Sequence, residues 1–85
     1  MQNEAIKLKF FAAFREITGQ REMSWPWHAE QTANSVLAAL LSDYPKLAGV
    51  ARVSLVMVNR EYRDRDLPLQ PGDEVVFVPP VGGGN

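Results

Sequence analysis

Val78-Pro79-Pro80-Val81-Gly82-Gly83-Gly84-Asn85 is the stretch of this chain whose residue types point most directly to chemistry. An apolar β-branched run, Val75-Val76-Phe77-Val78, stops at two prolines, which cannot donate to a sheet ladder and which set a local direction. Three glycines and an asparagine follow. Glycine backbone carries no side chain, so it can thread a narrow channel and adopt conformations that other residues refuse. Frayed ends and purification remnants also produce glycine runs. The junction separates the two readings: a rigid Pro-Pro stands directly between strand and glycines, with no polar linker. Such a tail can be presented to another protein as a reactant.

Little else in the chain is equipped for catalysis. Its 85 residues include no cysteine, which excludes disulfides, thiolate metal sites and a cysteine nucleophile. Any sulfur chemistry must therefore take place on a group other than a side-chain thiol. The single histidine, His28, cannot form a zinc site alone, and no metal site is expected. No nucleophile–base pair is visible, and the three glycines precede no helix, so a phosphate-cradling loop has no support. An independent enzyme is the least favoured class. A net charge of −1 argues against nucleic acid as a partner. No apolar run approaches the roughly 18 residues of a membrane span. Met1-Gln2-Asn3-Glu4 lacks the pattern of a signal peptide, so a cytoplasmic location is expected.

A tail of this kind needs a domain to hold it, and the length allows one. With 46% apolar and 22% charged residues the chain is suited to a packed core. Ile6-Lys7-Leu8-Lys9-Phe10 alternates with the period of a half-buried strand. Ala12 to Thr18 changes to helical spacing, and Gly19 stands where a helix ends in a left-handed residue. Arg21 to Trp27 alternates again, with Met23, Trp25 and Trp27 on one face. Pro26 places that strand at an edge or leaves its own position unpaired. Two tryptophans so spaced could stack a ligand, although packing is their commoner role.

Thr32 is a credible N-cap for a main helix carrying Val36, Leu37, Leu40, Leu41 and Tyr44 toward the core. A connection through Leu47-Ala48-Gly49 leads to a strand over Arg52–Asn59, apolar on both faces and hence expected inside a sheet. Arg60 to Asp66 alternates in sign, as a solvated turn and edge do. Pro71-Gly72-Asp73 turns the chain into a last strand, Glu74 to Val78. The expected fold is α+β. It has a mixed sheet of four to five strands, with one main helix and a short second helix on one face. In a β-grasp, ubiquitin-like arrangement, the first and last strands run parallel in the middle. The domain is expected over 1–81, with a flexible glycine tail over 82–85.

Three segments carry a resemblance to a known family. These are Ile6 through Gly19, with its Phe10-Phe11-Ala12 junction; Met57-Val58-Asn59 followed by Leu67 through Val75; and Val78-Pro79-Pro80-Val81 before the glycines. In that order and within one short chain, they resemble the small subunit of molybdopterin synthase, a sulfur carrier of the ubiquitin-like class. The resemblance implies that a partner activating enzyme uses ATP to adenylate the Gly84 carboxylate. A sulfur donor then displaces AMP, and the resulting thiocarboxylate gives its sulfur to a pterin precursor in the large subunit's active site. The implied partners are that large subunit, in a heterotetramer, and the adenylating enzyme. No cofactor is bound by the carrier itself.

The family typically ends at Gly-Gly, whereas Asn85 follows here and would block chemistry at the Gly84 carboxylate. Either a processing protease removes it first, or the chain as written is not a competent carrier. Pro80, Val81, Gly82 and Gly83 would thread the partner's channel. Phe11, Val76 and Val78 would dock on a partner, with Arg63 and Arg65 steering. Other acceptors keep the same tail: a thiazole or cysteine precursor, tRNA, or lysines of other proteins if the chain is a ubiquitin-like modifier. A non-covalent β-grasp binding module is a further alternative.

Overall fold

The computed structural model describes residues 4–79. Its strands are β1 (Ala5–Lys9), β2 (Glu22–Pro26), β3 (Leu55–Val58), β4 (Glu61–Tyr62) and β5 (Glu74–Val78). Its helices are α1 (Ala12–Thr18), α2 (Ala33–Asp43) and α3 (Ala48–Val53). The strands form one sheet in the order β2-β1-β5-β3-β4, with β1 and β5 parallel at its centre and the other pairs antiparallel. This is the ubiquitin-like β-grasp.

The alternation in β1 and β5 sends Ile6, Leu8, Val75 and Phe77 to one face, where they are buried with Phe10, Val56 and Val58. Phe14 of α1, Val36, Leu37 and Leu40 of α2, and Ala51 of α3 close over them in a single cluster. At its centre the Phe14 ring stacks between Phe10, at 6.4 Å, and Phe77, at 5.5 Å.

Local signals explain where the helices begin and end. Gly19 adopts φ 75 and donates its N–H to Arg15 O at 2.8 Å, ending α1 in the left-handed cap that its position predicts. Thr32 and Ser35 exchange side-chain and backbone hydrogen bonds in a capping box that starts α2. The expected connection at Leu47-Ala48-Gly49 is instead a 3-10 turn, Pro45–Leu47, running into α3, and β3 starts at Leu55 rather than Arg52. Gly49 and the β-branched Val50 and Val53 make this a weak helix former. Burial of Leu47 and Ala51, four residues apart, draws the segment into a helix.

Pro26 shows how the β2 edge is protected. The bonds Trp27 N–H to Glu4 O and Phe10 N–H to Arg21 O, with the register between them, turn the odd-numbered β2 residues toward β1. Glu22, Ser24 and Pro26 therefore face outward, where a proline forfeits no ladder bond. Gln31 Nε2 donates to Pro26 O at 3.0 Å, which leaves the outer edge only the main-chain groups of Glu22 and Ser24 to offer.

Asn59 and Arg60 join β3 to β4 as a two-residue turn, with φ 52 and 71. Both left-handed positions match the turn that suits a twisted hairpin. Asn59 is held there: its Nδ2 donates to Asp73 Oδ1 at 2.8 Å and its Oδ1 accepts from Glu74 N–H at 2.9 Å. Among the described residues Arg60 makes no comparable contact, so Arg60→Gly is expected to stabilise the fold by about 0.5–1 kcal/mol, read as a higher urea midpoint. A lower midpoint would show that the arginine charge matters more there than its backbone angle.

Candidate functional site: the open sheet face and the exit of the last strand

With the helices on one side, the other face of the sheet is left bare, and strand register fixes what stands on it. Lys9, Val76, Met57 and Tyr62 lie in one cross-strand row, flanked by a Val78–Leu55 pair on one side and a Lys7–Glu74 pair on the other. Leu55 and Tyr62 are 59% and 62% exposed. Side chains of this size so far out of the core, beside half-buried Val76, Val78 and Met57, form an apolar half-face suited to a protein partner. The half built on β1 and β2 is charged. There Lys9 Nζ lies 3.0 Å from Glu74 Oε2, and this hydrogen bond holds the Glu74 carboxyl below its ordinary pKa.

Phe11 stands where β1 gives way to α1 and is 52% exposed. Ala12, the next residue, has φ 50, a conformation that costs an L-residue roughly 1–2 kcal/mol. The chain turns sharply there, and Phe11 stays on the surface while Phe10 and Phe14 on either side of it are buried.

The expected docking residues are thus placed unevenly. Val76 and Val78 lie on the open face, Phe11 at its end, and Arg63 is exposed just beyond β4. Arg65 is half-buried and held within the fold rather than projecting freely. Its Nε donates to Asn34 Oδ1 at 2.9 Å, and its Nη1 to Ala51 O at 3.3 Å and Ser54 O at 3.4 Å, tying α2 to the end of α3. The alternating charges of that segment hid this role, because a cation that closes a helix end looks the same in sequence as a solvated one. Pro80, Val81, Gly82, Gly83, Gly84 and Asn85, with the boundary at 81, lie outside the described residues.

Leu55, Met57 and Tyr62 stand on the same face, beyond the docking residues expected from the sequence. For Leu55 and Met57 the signal is the apolar character of β3 on both faces, whereas Tyr62 lies on β4 within the run of alternating charge. β3 does lie inside the sheet, but its second apolar face is open rather than covered. The paired tryptophans are not an open stacking platform. Trp25 and Trp27 pack half-buried against the core, and Trp27 Nε1 donates to Leu69 O at 2.8 Å.

Residues 8–84 match the ThiS family. The chain belongs to that family. The matched span runs from Leu8, near the end of β1, through Gly84, with Asn85 next beyond it. Among curated relatives, the molybdopterin synthase sulfur carrier subunit of Dictyostelium discoideum is 34% identical, over 99% of this chain and all of that one. The small archaeal modifier protein 3 of Haloferax volcanii is also 34% identical, covering 93% of this chain and 98% of its own length. Among solved structures, a Haloferax volcanii protein determined in solution superposes with a TM-score of 0.83 at 32% identity, covering 96% of this chain and 88% of that one. A chain in the Helicobacter pylori complex of subunits 1 and 2 of molybdopterin-converting factor superposes with a TM-score of 0.63 at 25% identity, over 94% and 99% of the two chains.

Proposed function

We propose that this chain is the sulfur carrier subunit of a molybdopterin synthase. The observation that carries the reading is the ThiS match, whose span, residues 8–84, includes both the fold and the glycine tail. The relative from Dictyostelium discoideum carries that role in its name. In this scheme a protease removes Asn85, and an adenylating enzyme consumes ATP to convert the Gly84 carboxylate to an acyl-adenylate. A sulfur donor then displaces AMP to leave a thiocarboxylate. The carrier contributes the reactant, and its partners contribute the catalytic groups and the exclusion of water that an activated acyl group needs.

The apolar half-face is the matching handle. Val78 and Leu55 pair at the end of β5, with Val76, Met57 and Tyr62 in the row before them, so a large subunit seated on these residues receives the tail beside its contact surface. The complex from Helicobacter pylori supports such a partner. The relative named as a small archaeal modifier favours a second reading, in which the same terminus is attached to lysines of other proteins.

An intact mass spectrum of the untagged chain, purified from its native cell, tests the proposal. Loss of Asn85, with a fraction of molecules exchanging one oxygen for sulfur, is the expected result. A chain found only in isopeptide linkage to other proteins, never with sulfur, would transfer the assignment to the modifier reading.

A further inference from the structure

Arg15 and Arg21 stand around one shallow depression of about 200 Å³, lined also by Lys9, Phe10, Phe11 and Glu22. Three cations and a single carboxylate gather there, although the chain as a whole carries a net charge of −1. Lys9 is already engaged by Glu74 at 3.0 Å, and among the described residues neither arginine makes an ion pair. Both are held by the backbone close to Phe10 and Phe11. The Arg21 carbonyl accepts from Phe10 N–H at 2.9 Å, and Arg15 N–H donates to Phe11 O at 3.5 Å. Phe11, 52% exposed, adds an apolar wall to the same depression.

We propose that Arg15 and Arg21 form an anchor for a carboxylate side chain of the large synthase subunit, seated beside Phe11 at the end of the open sheet face. This inference rests on the function proposed above and names a contact within it. A guanidinium is planar, weakly hydrated and able to grip a carboxylate through two parallel hydrogen bonds, so two unpaired arginines beside an exposed aromatic ring suit an acidic residue with an apolar neighbour. The depression extends the docking surface from β5 across the end of β1 to the start of β2. An acidic contact there would fix the orientation of the carrier as well as its affinity.

The test measures binding of purified large subunit from the same organism to the wild-type chain, to Arg15→Glu/Arg21→Glu, to Arg15→Lys/Arg21→Lys and to Leu55→Asp, at low and high salt. The charge-reversed pair is expected to keep the wild-type melting temperature and lose at least about tenfold in affinity, with a flatter salt dependence. The lysine pair keeps the charge but not the fork geometry and is expected to lose about threefold or more. If both pairs bind within about twofold of wild type while Leu55→Asp does not bind, the anchor is overturned and the proposed function stands. A wild-type chain with no affinity for the large subunit would overturn both. Should charge reversal disturb folding, the lysine pair decides alone, and unchanged affinity in it overturns the anchor.

Discussion

Phe14→Ala is expected to destabilise the domain by about 3–5 kcal/mol. The ring is fully buried and has stacked neighbours on both sides, Phe10 at 6.4 Å and Phe77 at 5.5 Å. One of these neighbours ends the first strand and the other belongs to the last, so neither can move into the space without pulling a central strand with it. The cost therefore includes the cavity as well as the lost transfer energy. A domain of this length has a total stability of roughly 4–13 kcal/mol, so the variant sits near or below the threshold of folding. Urea unfolding monitored by circular dichroism gives the number. Phe14→Leu, which fills more of the volume, is expected to lose less than about 2 kcal/mol. A loss below about 1.5 kcal/mol in the alanine variant would mean that α1 collapses onto the sheet and closes the gap.

Gly84→Ala has the largest effect expected on function. In a chain made to end at position 84, so that removal of Asn85 is not a variable, the substitution is expected to lower the rate of adenylation about a hundredfold. It removes no side-chain contact, because glycine has none, so the melting temperature is expected to stay at the wild-type value. The loss comes from the reacting carboxylate. A methyl group on the last residue widens the tail at its reacting end, and a displacement of about 1 Å between carboxylate and phosphorus is enough to forfeit the rate. Release of pyrophosphate by the partner activating enzyme is the direct measure. Unchanged release would overturn the idea that glycine is needed for threading and leave the terminal carboxylate as the sole requirement.

Much of the fold was legible because its signals are local. A period of two marks β1 and β5, Gly19 ends α1 through its own backbone angle, and Thr32 opens α2 by a bond to a residue three positions on. Pro26 announced an edge because a missing N–H is a property of the residue itself. The glycine tail is likewise a matter of residue type and order along the chain. Each of these is decided within a few residues of backbone, which is what a sequence displays.

What only the tertiary structure decided depends on residues brought together from far along the chain. Leu47 and Ala51 enter the core and make a helix of a segment with little propensity of its own. β3 is apolar on both faces, yet whether its second face is buried or offered to a partner depends on which side α2 crosses. Arg65 and Arg63 are two residues apart in one run of alternating charge. Only the position of Asn34 and of the end of α3 commits the first to the fold and leaves the second outside. Arg15 and Arg21 converge on Phe11 because α1 folds back and β2 pairs with β1. Local geometry thus determined the strands and the caps. The docking face emerged from helix placement and strand pairing, because exposure is settled by distant residues rather than by neighbours in sequence.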